Sequence, residues 1–319
     1  IMRFGRKDFM KKPVLVIMAA GMGSRFGGLK QAEPIDKNGN FIIDYSVFDA
    51  VRSGFDKVIF IIKRENFDLF KSTVGNRIEK FVDVKYVFQE NTNVPSQYTI
   101  PAERKKPLGT THAVLCAAKE IDDDFAVINA DDFYGYDAFK KAADFLKTDK
   151  QPNKYAVIGY EAANTIGDNG SVKRGICTVL DGKLAGITES IIDKDDSGIL
   201  IAAPLDFPDI PPYVIPNDTP VSMNMFSFKK GFTKHLQTSF DRFLEKNKAD
   251  LSKAESLLPS TLSEFIESGE VEVSLIPTTA TWYGMTYKED LQKVSDSIQA
   301  LVNKGEYPQN LWANLKTKD

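Results

Sequence analysis

The sequence has few of the side chains that most often bind transition metals or act as nucleophiles. Only two histidines and two cysteines occur in 319 residues, and the cysteines form no CxxC motif. A thiolate zinc site is therefore excluded, a disulfide framework is not expected, and the cysteine usage is typical of a reducing cytoplasm. A catalytic metal would be a hard cation held by carboxylates, for which Mg²⁺ is the natural candidate.

A strong net charge and long apolar segments are also missing. Forty-one basic and 44 acidic side chains leave a formal charge of −3, so neither nucleic acid nor an anionic membrane is an expected partner. The apolar run at 14–20 has seven residues, and roughly 20 are needed to cross a bilayer. The basic first twelve residues do not resemble a signal peptide, and we interpret residues 1–9 as an extension outside the fold.

Apolar runs alternate with helical patterns along the first half of the chain. This alternation predicts an α/β protein with a mostly parallel central sheet and helices on both faces. The runs are rich in Val and Ile, as expected for strands that are buried on both faces. The predicted strands are 14–20, 57–63, 84–89, 125–130 and 155–160.

Three segments of different character follow one another along the chain. Residues 10–160 are predicted to form an α/β core, and residues 161–230 a β-rich insertion with a hairpin around Asp181 and Gly182. Residues 231–319 are mainly helical. This last segment either completes the same domain or forms the interface of a homo-oligomer.

The ends of three predicted strands carry unusual residues. In an open parallel sheet, ligands bind outside the carboxyl ends of the strands. We therefore expect the residues that follow Ala20, Gln89 and Ala130 to line one crevice.

A glycine-rich segment, MAAGMGSRFGGLKQ at 18–31, follows the first predicted strand. Glycines let backbone N–H groups approach phosphates closely, and Arg25 and Lys30 add two cations. The spacing fits neither the Walker loop nor the GxGxxG dinucleotide motif. Such a loop suits a polyphosphate that reacts, and the alternative is a glycine-rich surface turn with incidental basic residues.

AAGMGSRFGG, followed by LKQ, resembles the opening segment of the sugar-nucleotide pyrophosphorylases, a nucleotidyltransferase superfamily with a Rossmann-like fold. The resemblance implies that Arg25 and Lys30 are catalytic and stabilise the triphosphate as pyrophosphate leaves. It also implies that residues 10–160 bind the nucleotide and residues 161–230 the acceptor. In this family the loop backbone holds the nucleotide, and the matching residues are Ala20, Gly21, Gly23 and Ser24.

Two further segments resemble the base-binding elements of the family. Gln89 ends a predicted strand, and PLGTTHAV at 107–114 opens the next predicted helix. The resemblance implies that Gln89, Gly109 and Thr110 bind the nucleotide. A side-chain amide donates and accepts at once, which matches uracil or thymine, although a flipped amide would suit cytosine.

The residues around these two segments are expected to be structural. Loop 90–108 contains Arg104 and two lysines, which we interpret as a solvated charge run. His112 is expected to pack in the core or cap its helix, and no catalytic role is assigned to it.

Adjacent carboxylates, Asp131 and Asp132, follow the predicted strand at 125–130. Carboxylates are unlikely packing residues at the end of a buried strand, and the alternative is a helix N-cap. The family has a Gly-Asp pair here whose aspartate binds Mg²⁺. The resemblance therefore implies that Asp131 is catalytic and holds the metal. Asp132 is a weaker candidate, for the outer coordination shell of the metal.

The insertion carries residues that resemble the acceptor site of the family. Ile187-Thr188-Glu189 matches an element whose glutamate binds sugar hydroxyls, and VSMNMFSF at 221–228 places Asn224 near the sugar. Ser190 replaces a lysine that contacts the sugar phosphate in the family. Lys173 and Arg174, just upstream, are candidates to supply that positive charge.

The segment WYGMTYKEDL at 282–291 departs from the family pattern. The family commonly has an aspartate, a second metal ligand, where this chain has Gly284. Three interpretations remain. The metal is held by Asp131 with phosphates and water, another carboxylate replaces the aspartate, or activity is impaired.

The expected reaction is transfer of a nucleoside monophosphate from UTP or dTTP to a sugar 1-phosphate, with release of pyrophosphate. The first alternative is a cytidylyltransferase that acts on a non-sugar phosphate such as a choline or polyol phosphate. The second is a catalytically impaired regulatory protein that binds nucleotide sugars.

Overall fold

The computed structural model describes residues 12–21, 34–166, 170–205, 207–284 and 290–318, which form a sheet flanked by helices. The strands are β1 (Val14–Met18), β2 (Lys57–Ile62), β3 (Asp83–Phe88), β4 (Phe125–Asn129), β5 (Asp132–Phe133), β6 (Lys154–Glu161), β7 (Val172–Leu180), β8 (Lys183–Lys194), β9 (Leu200–Pro204), β10 (Tyr213–Ile215), β11 (Pro220–Phe228), β12 (Glu272–Pro277) and β13 (Tyr283–Gly284). The helices are α1 (Ile42–Ser53), α2 (Phe67–Phe70), α3 (Asn76–Ile78), α4 (Thr110–Cys116), α5 (Tyr136–Thr148), α6 (Phe232–Asn247), α7 (Leu258–Glu267) and α8 (Asp290–Asn303).

Strand β1 lies between two parallel neighbours, β2 and β4. Its side chains alternate between two apolar clusters, since Leu15 and Ile17 pack on one side of the sheet and Val14 and Val16 on the other. Helices α1, α5 and α8 cover the first side, and α4, α6 and α7 cover the second. The prediction of an α/β protein is confirmed, and burial on both faces explains the continuous apolar runs.

The directions of the strands differ from the prediction. The order in the main sheet is β10-β9-β8-β12-β6-β11-β4-β1-β2-β3, with β7 paired to β8 and β11. Only β1–β2, β2–β3, β1–β4 and β6–β12 are parallel among the described pairs. Strand β11 enters between β4 and β6 and runs antiparallel to both. The sheet is therefore mixed, and the prediction of a mostly parallel sheet was wrong, because a buried apolar run does not reveal the direction of its neighbours.

The β-rich segment extends the sheet at one end. Strands β7 and β8 form the predicted hairpin, with Asp181 (φ 50°) and Gly182 (φ 75°) at its turn. Positive φ at both positions is what a tight two-residue hairpin turn requires. Strands β9 and β10 continue the sheet beyond β8 to its edge. The division at residues 160 and 230 stays a prediction.

The C-terminal part of the chain contacts the core at several places, among them Ser256 and Tyr307. Ser256, between α6 and α7, donates its N–H to the carbonyl of Leu108 (2.8 Å) and accepts from the N–H of Thr111 (3.0 Å). Beyond α8, the hydroxyl of Tyr307 donates to Asp49 Oδ2 on α1 (2.7 Å). The start of α4 is thereby fixed by a segment far away in sequence. Among the described helices, none has the length and apolar character of a membrane span.

Loop 90–108 is held by one buried arginine rather than left as a solvated charge run. Arg104 is 8% exposed. Its guanidinium donates to the carbonyl oxygens of Lys106 (2.8 Å), Pro107 (2.6 Å) and Leu251 (2.7 Å). Lys105 beside it is exposed, as predicted. The interpretation was therefore wrong for Arg104, whose hydrogen bonds fix the loop that leads to α4.

Arg104→Met should lower the free energy of unfolding by about 3 kcal/mol, because three carbonyl groups lose a charged donor. The measurement is urea unfolding followed by circular dichroism. Lys105→Met is the matched control, and it should stay within about 0.5 kcal/mol of the wild type. Equal unfolding midpoints for the two variants would contradict a structural role for Arg104.

Candidate active site

The carboxyl ends of β1, β3 and β4 meet at one edge of the sheet. The N–H of Ala19, after β1, donates to the Ile61 carbonyl (2.8 Å), and that of Ala130, after β4, donates to the Met18 carbonyl (3.2 Å). Ala20 is buried and Gly21 is exposed at the start of the glycine-rich segment. The three strand ends lie at one edge as expected, and the prediction that the residues after them line one crevice stays a prediction. Gly23, Ser24, Arg25 and Lys30 lie outside the described residues.

The side-chain amide of Gln89 is fixed by two acceptors. Gln89 is 7% exposed, and its Nε2 donates to the carbonyl of Gly109 (2.9 Å) and lies 3.4 Å from His112 Nδ1. A carbonyl cannot donate, so Nε2 rather than Oε1 faces Gly109. Among the described residues, no hydrogen bond reaches Oε1. The predicted base-binding residues Gln89 and Gly109 are therefore in direct contact.

His112 is a neutral partner of Gln89, a role that sequence reasoning missed. Its ring is stacked on Phe240, with 4.9 Å between ring centroids. Its Nε2 lies 3.3 Å from the Asn93 carbonyl, which can only accept, so Nε2 carries the hydrogen and Nδ1 is the acceptor. Burial lowers the pKa of His112 to about 4. The sequence signal for this role was the position of His112 in the first turn of α4, three residues after Gly109.

Gly109 is required by its backbone conformation and by a close neighbour. Its φ of +103° is rarely adopted by other residues, and a Cβ there would lie 2.6 Å from Ser256 N. Thr110 begins α4, and its hydroxyl accepts from the N–H of Leu258 (2.8 Å). The Thr110 hydroxyl is thereby held in place and keeps its own hydrogen as a donor.

Asp131 and Asp132 follow β4 at the same edge. The N-cap alternative is wrong, because α5 begins only at Tyr136 with Gly135 as its N-cap. Asp132 is 7% exposed, and burial and then the charge of Asp131 raise its pKa to about 7. Asp131 is half-buried. Two carboxylates forced together in this way favour a cation between or beside them.

Tyr134 connects Asp132 to strand β11, which carries the predicted sugar-binding residue Asn224. Asp132 Oδ2 accepts from Asn129 Nδ2 (2.8 Å) and lies 3.2 Å from the Tyr134 hydroxyl. The Tyr134 hydroxyl also lies 2.9 Å from the carbonyl of Met223, to which it donates. The Tyr134 hydroxyl therefore lies between the Asp132 carboxylate and strand β11.

Asn224 lies at an irregularity of β11. The pairing of β11 with β6 shifts register between Ser222 and Phe226, and Asn224 has φ +60°. Asparagine tolerates the left-handed region, and such bulges often lie beside active sites, where they re-aim a side chain. Asn224 is half-buried next to Met223. The predicted sugar-binding asparagine thus follows directly the residue that contacts Tyr134.

The acceptor residues of β7 and β8 comprise a buried cation, a half-buried carboxylate and an exposed cation. Glu189 is paired with Gly175, and its Oε1 would lie 3.5 Å from a Cβ at Gly175. Arg174 is 9% exposed; burial lowers its pKa to about 10, while the charges of Asp132 and Glu189 act in the opposite direction. Lys173 is exposed. Arg174 is therefore the cation that faces the carboxylates.

The guanidinium of Arg174 is firmly positioned. It donates to the Thr165 hydroxyl (3.1 Å), the Thr165 carbonyl and the Lys173 carbonyl (2.8 Å). It also lies over the ring of Trp282, 4.5 Å from the ring centroid. Ser190, in place of the family lysine, is buried and donates to the Thr188 carbonyl (3.3 Å). The serine itself cannot supply the positive charge of that lysine.

Gly284 lies directly opposite Asp132. Strands β13 and β5 pair in an antiparallel ladder, with Gly284 against Asp132 and Tyr283 against Phe133. Gly284, which departs from the family pattern, is thus the cross-strand neighbour of Asp132.

His112→Asn should reduce the fall in the free energy of unfolding at acidic pH. The unfolded chain binds a proton at His112 near pH 6.5 and the folded protein only near pH 4. The stabilisation from neutral His112 is therefore complete above about pH 6.5 and is lost as the pH falls towards 4, by about 3 kcal/mol in total. Urea unfolding at pH 7.0, 5.5 and 4.5 measures this change.

The control for that comparison is His235→Asn. The His235 ring is more exposed, and burial followed by an opposing Glu270 charge leaves its pKa lowered. Its substitution should flatten the profile less than His112→Asn does. A His112→Asn profile parallel to that of the wild type would contradict a buried neutral His112.

Sequence comparisons place the chain among known nucleotidyltransferases. A profile of the family described as Nucleotidyl transferase matches residues 14–191, more than half of the chain. UTP–glucose-1-phosphate uridylyltransferase YngB of Bacillus subtilis strain 168 is 30% identical over 142 residues, covering 39% of this chain and 45% of that protein. Bifunctional protein GlmU of Caldicellulosiruptor saccharolyticus is 31% identical over 147 residues, covering 45% of this chain and 26% of that protein. The chain thus spans less than half the length of these curated relatives.

Solved structures share the architecture over nearly the whole chain. The inositol-1-phosphate CTP transferase from T. maritima has a TM-score of 0.59 at 12% identity, covering 95% of this chain and 98% of that one. A UDP-glucose pyrophosphorylase complexed with UDP-glucose has a TM-score of 0.54 at 17% identity, covering 91% and 99%. At these identities the likeness shows the fold. Together with the family profile and the arrangement of strand ends, it confirms the resemblance seen in the sequence: the chain belongs to the nucleotidyl transferase family of enzymes.

Proposed function

We propose that the protein transfers a nucleoside monophosphate from UTP or dTTP to a sugar 1-phosphate and releases pyrophosphate. This assignment rests on one arrangement. Base-binding residues at the end of β3, the carboxylates after β4 and the acceptor residues of β8 and β11 border one edge of the sheet. The Tyr134 hydroxyl, which contacts both the Asp132 carboxylate and the Met223 carbonyl, joins the second and third of these groups.

The amide of Gln89 favours uracil or thymine. Its Nε2 hydrogens are directed to Gly109 and His112, which leaves Oε1 as the atom that can contact a base. Oε1 accepts, so it pairs with the N3–H of uracil or thymine, the proposed choice, although the N4–H of cytosine can donate to the same atom. The relative YngB, named a UTP–glucose-1-phosphate uridylyltransferase, supports the same choice.

The acceptor site is suited to a phosphorylated sugar. The Glu189 carboxylate accepts hydrogen bonds from hydroxyl groups, and the Asn224 amide both donates and accepts. Arg174 is held rigidly beside them, and exposed Lys173 precedes it on β7. A positive charge near a carboxylate and an amide fits one molecule that carries both a phosphate and several hydroxyls.

The reaction requires alignment and charge neutralisation rather than a general base. An oxygen of the sugar phosphate, already ionised near pH 7, forms a bond to the α-phosphorus as the bond to the bridging oxygen of pyrophosphate breaks. Arg25 and Lys30, by their family positions, stabilise the negative charge that passes to the leaving group. Gln89 and the start of α4 hold the base end of the nucleotide, and Glu189 and Asn224 orient the attacking sugar.

The carboxylates after β4 fit a Mg²⁺ ion. Asp131 and Asp132 supply hard oxygen ligands, and Mg²⁺ is often held by one or two carboxylates with substrate phosphates and water. Within the described ranges, no group of three or more His, Cys, Asp or Glu side chains could hold a metal ion. Mg²⁺ bound there would neutralise phosphate charge.

The test of the proposed reaction is pyrophosphate release over a grid of nucleotides and acceptors with Mg²⁺. The nucleotides are UTP, dTTP, CTP, ATP and GTP, and the acceptors are several sugar 1-phosphates, inositol 1-phosphate and phosphocholine. We expect turnover with UTP or dTTP and a sugar 1-phosphate. Turnover restricted to CTP with a polyol or choline phosphate would replace the proposal by a cytidylyltransferase. Nucleotide-sugar binding without turnover on any pair would instead indicate an impaired, regulatory protein.

Lys30→Ala and Asp131→Asn should each lower the rate of pyrophosphate release by about 10²–10³, because each removes a charge that stabilises the transition state. Asp144→Asn is the matched control, since Asp144 is exposed on α5 and paired with Lys140. Its rate should equal that of the wild type. Circular dichroism and melting temperatures establish that all variants fold. A near-normal rate for Lys30→Ala or Asp131→Asn would refute the assigned charges.

A further inference from the structure

The space beside Gly284 is already filled by two other side chains. A Cβ placed on Gly284 would lie 2.6 Å from Cζ2 of Trp282 and 3.2 Å from Oδ1 of Asp132. Real Cβ atoms essentially never come as close as the first distance, so a side chain at 284 would have to displace the Trp282 ring. The carboxylate of Asp132 therefore borders the space that a side chain at position 284 would need.

Asp132 Oδ1 lies about as far from the Cβ position of residue 284 as the oxygens of an aspartate at 284 would. A carboxylate oxygen of aspartate lies about 2.4 Å from its own Cβ, by standard bond lengths. Asp132 Oδ1, at 3.2 Å from the Cβ position of residue 284, is within about 1 Å of that distance. The cross-strand pairing of Asp132 with Gly284 explains the coincidence, since directly opposite residues project from the same face of the ladder.

The two oxygens of Asp132 have different surroundings. Oδ2 is held by Asn129 Nδ2 (2.8 Å) and by the Tyr134 hydroxyl (3.2 Å). Oδ1 accepts no hydrogen bond among the described residues, although the side chain is more than nine-tenths buried. A carboxylate oxygen that borders the Cβ position of a glycine, with its partner oxygen fixed, is preorganised to receive a cation.

We infer that Asp132 is the second carboxylate ligand of the metal site, taking over from strand β5 the task that the resemblance assigns to an aspartate at position 284. The inference rests on the proposed function, because it concerns the metal of that reaction. Asp131 and Asp132 then supply one carboxylate each, Asn129 and Tyr134 position the second one, and Gly284 leaves room for it. On this basis the metal ligand has moved from position 284 to Asp132, and Gly284 does not indicate a loss of activity.

The inference is tested by Mn²⁺ binding, which needs no turnover. Electron paramagnetic resonance of free Mn²⁺ gives the dissociation constant for the full chain, alone and with UTP. Asp132→Asn keeps the shape of the side chain and should raise the Mn²⁺ dissociation constant at least about tenfold, since even outer partners of metal ligands cost 10–100-fold. Asp131→Asn should raise the Mn²⁺ dissociation constant by a similar factor. The exposed control, Asp144→Asn, should leave it unchanged.

A second variant separates ligation from folding. Gly284→Ala retains both carboxylates but pushes on Trp282 and Asp132, so it should also weaken Mn²⁺ binding, by less than Asp132→Asn does. Melting temperatures are measured for every variant, and Asp132→Ser replaces Asp132→Asn if the latter does not fold. Wild-type Mn²⁺ affinity in a folded Asp132 variant, or no Mn²⁺ binding by the wild type, would overturn the inference. Mn²⁺ binding that depends on Asp132, in a protein without turnover on any substrate pair, would uphold it while refuting the proposed function.

Discussion

The parallel pairing of β1 on both of its sides is the interaction on which the candidate site depends. Hydrogen bonds to β2 and β4 align the ends of these strands, and β3 follows through β2. Side chains of β1 fill the apolar clusters on both faces, so a shift of one residue would place each of them on the wrong side. Ala20 and Gly21, Gln89, and the carboxylates after β4 reach one edge because this register is fixed.

Electrostatics at that edge explain why a polyphosphate needs cations there. The charge of Asp131 acts on Asp132, and the guanidinium of Arg174 is already bonded to Thr165 and lies over the Trp282 ring. A triphosphate would be repelled by this arrangement alone. The chain has no general positive field to compensate, since its net charge is −3. Local cations from the glycine-rich segment and a metal are therefore a physical requirement of the proposed reaction.

Periodicity and turn chemistry were sufficient to predict the strands, the hairpin at Asp181 and Gly182, and the convergence of the strand ends, because these follow from local patterns and one rule of parallel sheets. Long-range partners were not predictable in this way. Nothing local in the sequence shows that β11 runs between β4 and β6, or that Arg104 reaches the carbonyl of Leu251. For His112, the helix position was visible but the amide that it contacts was not. The roles of Arg25 and Lys30 stay predictions.

Gly284 illustrates why a missing motif residue does not by itself argue for lost chemistry. A metal site needs a carboxylate oxygen at a certain place, and two strands in register offer two backbone positions from which an aspartate can reach that place. A side chain at 284 would have to displace the Trp282 ring and would crowd Asp132. A glycine on β13 therefore leaves the space that an aspartate on β5 uses. The pair has to be considered as one unit, in which the departure at 284 and the second carboxylate at 132 have the same physical cause.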